Sequence, residues 1–142
     1  MTGSYVNRLF LEEPAGTFAQ GHVFVNAPDL TGAEHDPGAG YWRCEVSDHD
    51  RLTWTDKVYE LFGLPTGSSV ERDWAVSRYS EPSRSSLELV RMYALNRKLG
   101  FILDAEIRPE RGGYRWIRVL AVPIMAEANG RVAALHGLKR PL

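Results

Sequence analysis

The chain of 142 residues contains a single cysteine, Cys44. One cysteine excludes an intrachain disulfide and any cysteine-based zinc or iron–sulfur site, and this usage is typical of a reducing compartment. The sequence also lacks a run approaching the ~18 apolar residues that a membrane span needs, and its first residues lack the basic and apolar regions of an export signal. We therefore expect a cytoplasmic protein without a membrane partner.

Neither sign of charge is in excess. Seventeen Lys and Arg residues stand against 18 Asp and Glu residues, which gives a formal net charge of −1. A protein that binds nucleic acid through bulk charge carries a clear basic excess, so we expect no nucleic-acid partner. With 44% hydrophobic and 25% charged residues, the composition is that of an ordinary globular protein, and the length fits one domain.

Residues 1–39 differ from the rest of the chain. They contain Pro14, Pro28 and Pro37 and show no sustained helical or strand period. We interpret them as an N-terminal extension that precedes a domain at 40–142.

The first part of that domain predicts a hairpin and two short helices. Apolar and polar residues alternate over 41–46, and a second such run follows at 51–54 after a polar turn. Thr55 supplies a helix start and Gly63 a helix stop. Helical spacing predicts another short helix over 71–79.

A longer helix and three strands complete the pattern. Pro82 suits the first turn of a helix that runs to about Lys98, and alternation over 101–108 predicts a strand. Residues 114–125 and 131–138 follow as strands, joined through the Asn129-Gly130 hairpin signal. This order indicates an α+β domain with helices on one face of an antiparallel sheet.

At this point the sequence resembles a PAS domain of the sensor type found in bacterial signalling proteins. The resemblance covers about residues 40–138 and implies a five-stranded antiparallel sheet with short helices and one longer helix on one face, often with a small-molecule pocket between them. It is carried by Gly40-Tyr41-Trp42, Leu52-Thr53-Trp54-Thr55-Asp56, Val58-Tyr59-Glu60-Leu61-Phe62-Gly63, Tyr79-Ser80-Glu81-Pro82, Glu106-Ile107-Arg108, Gly113-Tyr114-Arg115-Trp116-Ile117, Asn129-Gly130-Arg131 and Gly137.

Two departures from the family's pattern bear on function. Ser83 and Arg84 stand where the family usually has an acidic residue after the proline, and Leu138-Lys139-Arg140 replaces the usual closing Asp-Ile-Thr. We expect no attached output domain, so the chain would act as a non-catalytic sensory or interaction protein. The implied partner is a signalling protein such as a histidine kinase.

The residues that hold cofactors in this fold are missing. Flavin photoreceptors of the family use a cysteine within Asn-Cys-Arg-Phe, and haem-binding members use a histidine on the long helix, but residues 82–98 contain none. Cys44 and His136 are interpreted as packed side chains. Asp48-His49-Asp50 and Glu34-His35-Asp36 are interpreted as solvated turns rather than metal sites. We therefore expect no flavin, haem or metal.

The aromatic residues of the predicted helices leave two interpretations open. They fill the core, or they line a pocket for a small apolar ligand. The candidates for such a pocket are Tyr59, Phe62, Trp74, Tyr79 and Tyr93.

The strand at 114–125 is apolar on both faces, so one face needs a cover. We expect the segment that carries Tyr5, Leu9 and Phe10, together with a second copy of the chain, to provide it. Ile117 and Val119 are the strand residues assigned to this dimer or partner surface.

An enzyme is the alternative hypothesis, in the form of a small isomerase-like α+β protein that uses the space between the helices and the sheet. Acid–base chemistry there needs a buried carboxylate. Asp104 and Glu106 fall on a polar strand face instead, where we expect pairing with Arg115.

Overall fold

The structure, a computed structural model, describes residues 22–25, 28–30, 36–126 and 128–142. One antiparallel sheet carries three helices, and its strands lie in the order β1-β4-β5-β6-β2-β3. The elements are β1 (His22–Val25), β2 (Gly40–Glu45), β3 (Arg51–Trp54), α1 (Asp56–Phe62), α2 (Arg72–Ser77), α3 (Glu81–Arg97), β4 (Gly100–Ile107), β5 (Arg115–Met125) and β6 (Val132–Pro141). Tyr5, Leu9 and Phe10 lie outside the described residues.

The predicted five-stranded antiparallel sheet is confirmed in β2 to β6. A sixth strand, β1, joins its edge by pairing with β4, from His22 opposite Leu103 to Val25 opposite Gly100. β1 belongs to the segment that the sequence assigned to the extension. The domain boundary at residue 40 stays a prediction.

Local signals explain where the helices begin and end. Gly63 ends α1 in the left-handed region with φ 73°, which costs a glycine little because it has no Cβ. α3 has Pro82 in its first turn and buries Leu87, Val90 and Ala94 against the sheet. None of the helices among the described residues is long and apolar enough to cross a membrane.

The two faces of β5 differ from the sequence interpretation. Ile117 and Val119 are 0% and 1% exposed and belong to the core beneath the helices, so their assignment to a dimer surface is wrong. They pair with Ala105 and Leu103, whose side chains also point to the helices. The alternate set points outward and begins with Trp116, which is 51% exposed.

The outer face is covered in part by the chain itself. Leu120 and Leu138 are buried there, with Leu30 and Ile102 packed against them. Beside them Arg118 binds Asp104 with two hydrogen bonds, of 2.6 and 2.9 Å. Arg118 therefore takes the partner role expected of Arg115, because the register places Arg118 directly opposite Asp104.

β5 and β6 approach each other closely at Gly137. A Cβ at this position would lie 1.8 Å from the carbonyl oxygen of Leu120, a separation that no side chain tolerates. The glycine therefore permits the spacing that brings the next inward residue of β6, Lys139, under the helices.

Candidate functional site

A cavity of about 60 Å³ lies between the sheet and the helices α2 and α3. Its wall is largely apolar, but it also contains three cationic side chains, Arg72, Arg91 and Lys139. None of the described residues that line it is an aspartate or a glutamate. The lining residues are Trp42, Cys44, Leu52, Arg72, Ala75, Val76, Tyr79, Leu87, Arg91, Phe101, Val119, Leu135 and Lys139.

Lys139 is the unusual member of this lining because it is a lysine in the core, 8% exposed. Strand alternation explains its position, since Leu135 and Gly137 precede it on the same face of β6. Among the described residues it makes no hydrogen bond or ion pair. Its Nζ instead faces aromatic rings, with centroids 5.3 Å away for Trp42, 5.7 Å for Trp54, 5.1 Å for Phe62 and 5.7 Å for Tyr79.

Burial lowers the pKa of Lys139 to about 7. The thiol of Cys44 raises this pKa, and the positive charge of Arg72 lowers it further. The surrounding ring faces favour the ammonium form, since their negative quadrupole faces attract a cation. Both protonation states of Lys139 are therefore accessible near neutral pH.

Two other buried donors near Lys139 have no hydrogen-bond partner. They are the hydroxyl of Tyr79 and the indole Nε1 of Trp54. Burial raises the pKa of Tyr79, so its hydroxyl stays protonated. Buried polar groups are almost always hydrogen-bonded, so the two unpartnered groups of the lining, Lys139 and Tyr79, call for an explanation.

Trp42 connects Lys139 to the opposite face of the sheet. Its ring faces Nζ, and its Nε1 donates a hydrogen bond of 3.2 Å to the carbonyl oxygen of Leu138. Leu138 is part of the outer cluster. One indole therefore contacts both the Lys139 amine and the backbone of β6 at Leu138.

Two ion pairs tie the elements around the cavity together. Arg72 of α2 pairs with Glu88 of α3, and Arg91 of α3 binds Asp50 at 2.7 Å. Asp50 lies in the turn between β2 and β3 and also accepts a hydrogen bond of 3.6 Å from the thiol of Cys44. The arginine side chains are less exposed than the carboxylates with which they pair, and both arginines line the cavity.

The aromatic residues selected from the sequence separate into two groups. Tyr79 lines the cavity, and Phe62 packs beside it, stacked on Trp54 at 4.8 Å. Tyr59, Trp74 and Tyr93 lie outside the lining.

Each of those three side chains has a different neighbour. Tyr59 donates a hydrogen bond to the carbonyl oxygen of Ser68, and the guanidinium of Arg78 lies over Trp74. Tyr93 packs against Phe24 of β1. A ligand role for them stays a prediction.

The cationic residues of the lining were missed by the sequence interpretation. For Lys139 a signal existed, because the alternation of Leu135 and Gly137 continues to it once β6 is extended past Leu138. For Arg72 and Arg91 the sequence held no such signal, since charged residues on helices usually face solvent.

The positions considered for cofactors and metals lie as follows. Cys44 lines the cavity and burial raises its pKa, whereas the half-buried His136 is not in the lining. No group of three potential metal ligands occurs in the described part of the chain. Glu34 and His35 lie outside it.

A cavity of about 60 Å³ is far below the roughly 300–1,000 Å³ of sites for large ligands, so it does not fit a flavin or a haem.

Neither a protein-family model nor a curated protein sequence matches the chain. Solved structures do match. The N-terminal domain of a diguanylate cyclase with a PAS/PAC sensor from Marinobacter aquaeolei is 18% identical with TM-score 0.65, over 72% of this chain and 94% of that one. A sensory box histidine kinase/response regulator from Burkholderia thailandensis is 15% identical with TM-score 0.62, over 80% of each chain. A PAS domain from Colwellia psychrerythraea is 15% identical with TM-score 0.56, over 79% of this chain and 92% of that one. The chain therefore has the PAS fold.

Proposed function

We propose that this chain is a non-catalytic sensory PAS domain of a cytoplasmic signalling system, and that a small molecule in the cavity controls its interaction with a partner protein. The observation that carries the proposal is the cavity itself, which combines apolar walls with polar groups that no described residue satisfies. The names of the structural neighbours support a partner such as a histidine kinase.

The ion pairs around the cavity offer a route from ligand to surface. A ligand that contacts Arg72 or Arg91 competes with Glu88 or Asp50 for the same guanidinium groups. Because these pairs join α3 to α2 and to the turn between β2 and β3, a change in either pair shifts the elements that frame the cavity. The ligand thereby alters the surface that a partner contacts.

The isomerase-like alternative receives less support. As considered from the sequence, this alternative needs a buried carboxylate for acid–base chemistry. The described residues of the lining include neither a carboxylate nor a histidine. Of the two carboxylates considered from the sequence, Asp104 is bound to Arg118 on the outer face.

A homodimer remains part of the proposal. Tyr41 and Trp116 are exposed large hydrophobic residues on the outer face of the sheet. A second copy of the outer face is a suitable cover for such side chains.

The test combines ligand recovery with a partner assay. We expect native mass spectrometry of the full chain, purified from its own host, to show a retained small molecule. We also expect the protein to change autophosphorylation of a histidine kinase from that host. Ala75→Leu fills the cavity and should abolish both effects, whereas Met92→Leu on the exposed side of α3 should preserve them.

Two results would contradict the proposal. In one, the purified protein carries no ligand, and the Ala75→Leu variant affects the kinase as strongly as the natural protein does. The other is turnover of a recovered molecule by the purified chain, which would favour the enzyme hypothesis.

A further inference from the structure

We propose that the cavity binds a small organic anion, a carboxylate with a short apolar body, and that Lys139 and Tyr79 hold its oxygens. This inference rests on the proposed function, in which a ligand occupies the cavity, and it names the chemistry of that ligand.

The charges of the lining carry the first step. Arg72, Arg91 and Lys139 are all cationic groups, and no acidic residue is among the described residues of the wall. Arg72 and Arg91 each have a carboxylate partner, Glu88 and Asp50. Lys139 has none, so the site lacks one negative charge. A cationic ligand would meet repulsion from the uncompensated charge of Lys139.

Burial of Lys139 carries the second step. A buried ammonium without a counter-ion is costly, because protein surroundings replace its hydration only in part. Aromatic faces around Nζ compensate some of this cost but supply no hydrogen-bond acceptor. A carboxylate supplies both the missing charge and the acceptor.

The unpartnered donors carry the third step. Tyr79 lines the cavity and its hydroxyl is buried without a hydrogen bond. Lys139 is the second donor of the lining that has no hydrogen-bond partner among the described residues. A carboxylate offers about four acceptor positions on two oxygens, which matches a cluster made of donors. Charge-assisted hydrogen bonds of this kind are stronger than neutral ones.

The volume limits the size of the anion. A cavity of ~150 Å³ accepts benzene, and this one measures about 60 Å³. The apolar body is therefore short, as in acetate or propionate. Ala75, Val76 and Leu87 form the apolar wall that would contact it.

The experiment titrates the full chain with three probes of similar size: propionate, propionamide and 1-propanol. Binding is followed through the chemical shifts of the indole N–H groups and by calorimetry. We expect propionate to bind at least tenfold more tightly than propionamide and to shift the indole N–H signal of Trp42, which lines the cavity.

Variants identify the group responsible. We expect Lys139→Gln to weaken propionate binding at least tenfold, while Lys57→Gln, on the exposed side of α1, leaves it unchanged. Lys139→Met serves as a second variant if the glutamine variant does not fold, because its unbranched side chain fits the same aromatic surroundings.

The outcomes separate the two proposals. Equal binding of propionate and propionamide, or tight propionate binding by both Lys139 variants, overturns the anion inference. Binding of 1-propanol alone also overturns it but leaves the cavity as a ligand site. If none of the three probes binds, the anion inference fails, and the proposed function then depends on the molecule recovered from the host.

Discussion

Replacement of Lys139 by methionine should stabilise the protein most at low pH. Methionine keeps the unbranched shape of the side chain and removes the charge, so the buried ammonium no longer has to be accommodated. Burial lowers the pKa of Lys139 in the folded protein to about 7 from its ordinary value of 10.5. Between these values the unfolded chain keeps the proton that the folded chain releases.

The sign and size of the effect follow from proton linkage. Because the unfolded state binds more protons between pH 7 and 10.5, the stability of the natural protein rises with pH in that window and falls as pH drops toward 7. For this pair of pKa values, the linkage relation predicts that the free energy of unfolding of the natural protein rises by about 3 kcal/mol from pH 6 to pH 9. The difference in this free energy between the Lys139→Met and natural proteins should therefore shrink by about 3 kcal/mol over that interval.

Other charged groups near Lys139 do not produce this trend. Arg72 from α2, whose pKa is raised above its ordinary value, keeps its charge throughout the interval. Burial raises the pKa of Cys44 from β2 and that of Tyr79, which moves both further above pH 9. These groups are also common to both proteins, so their contributions largely cancel in the difference.

The measurement is urea unfolding of both proteins at pH 6, 7, 8 and 9, because urea does not screen charges as guanidinium does. Lys57→Met on the surface of α1 is the control and should show no pH-dependent difference. The reasoning is refuted if the difference in the free energy of unfolding between the Lys139→Met and natural proteins is the same at pH 6 and pH 9. Burial would then not destabilise the ammonium.

Three further predictions concern the sheet. Gly137→Ala should lower the free energy of unfolding by more than about 3 kcal/mol or prevent folding, because its Cβ would overlap the Leu120 carbonyl. The control Gly113→Ala should be nearly neutral, and thermal unfolding compares the two variants. Phe24→Ala should cost about 1–2 kcal/mol and speed amide exchange in β1, since the ring packs on Tyr93, and unchanged exchange would contradict this. Trp116→Lys should weaken the expected homodimer in sedimentation experiments, and a dimer that tolerates it does not use this face.

The fold of this chain could be predicted from the sequence, whereas the cavity could not. Turn and helix-end residues such as Gly63 act locally, so the element order was correct. Which of two apolar faces packs inward depends on cross-strand partners, and for that reason Ile117 was assigned to the wrong side. β1 was missed because its pairing with β4 spans a long stretch of chain.

The cavity depends on still longer-range relations. Tyr79, one of the pocket candidates selected from the sequence, lines the cavity, and its ligand role stays a prediction. Lys139 was not considered, because a lysine near the end of a strand is ordinarily exposed. Its burial results from rings contributed by several separate segments, and only the folded chain brings these together.

The hydrogen bond from Trp42 to the carbonyl oxygen of Leu138 has a mechanical consequence. Successive residues of a strand point to opposite faces, so the backbone group that this indole holds belongs to a side chain on the far side of the sheet. We therefore expect a change in the position or charge of the Lys139 amine to alter the backbone of β6 at Leu138 through this indole, without a rearrangement of the helices.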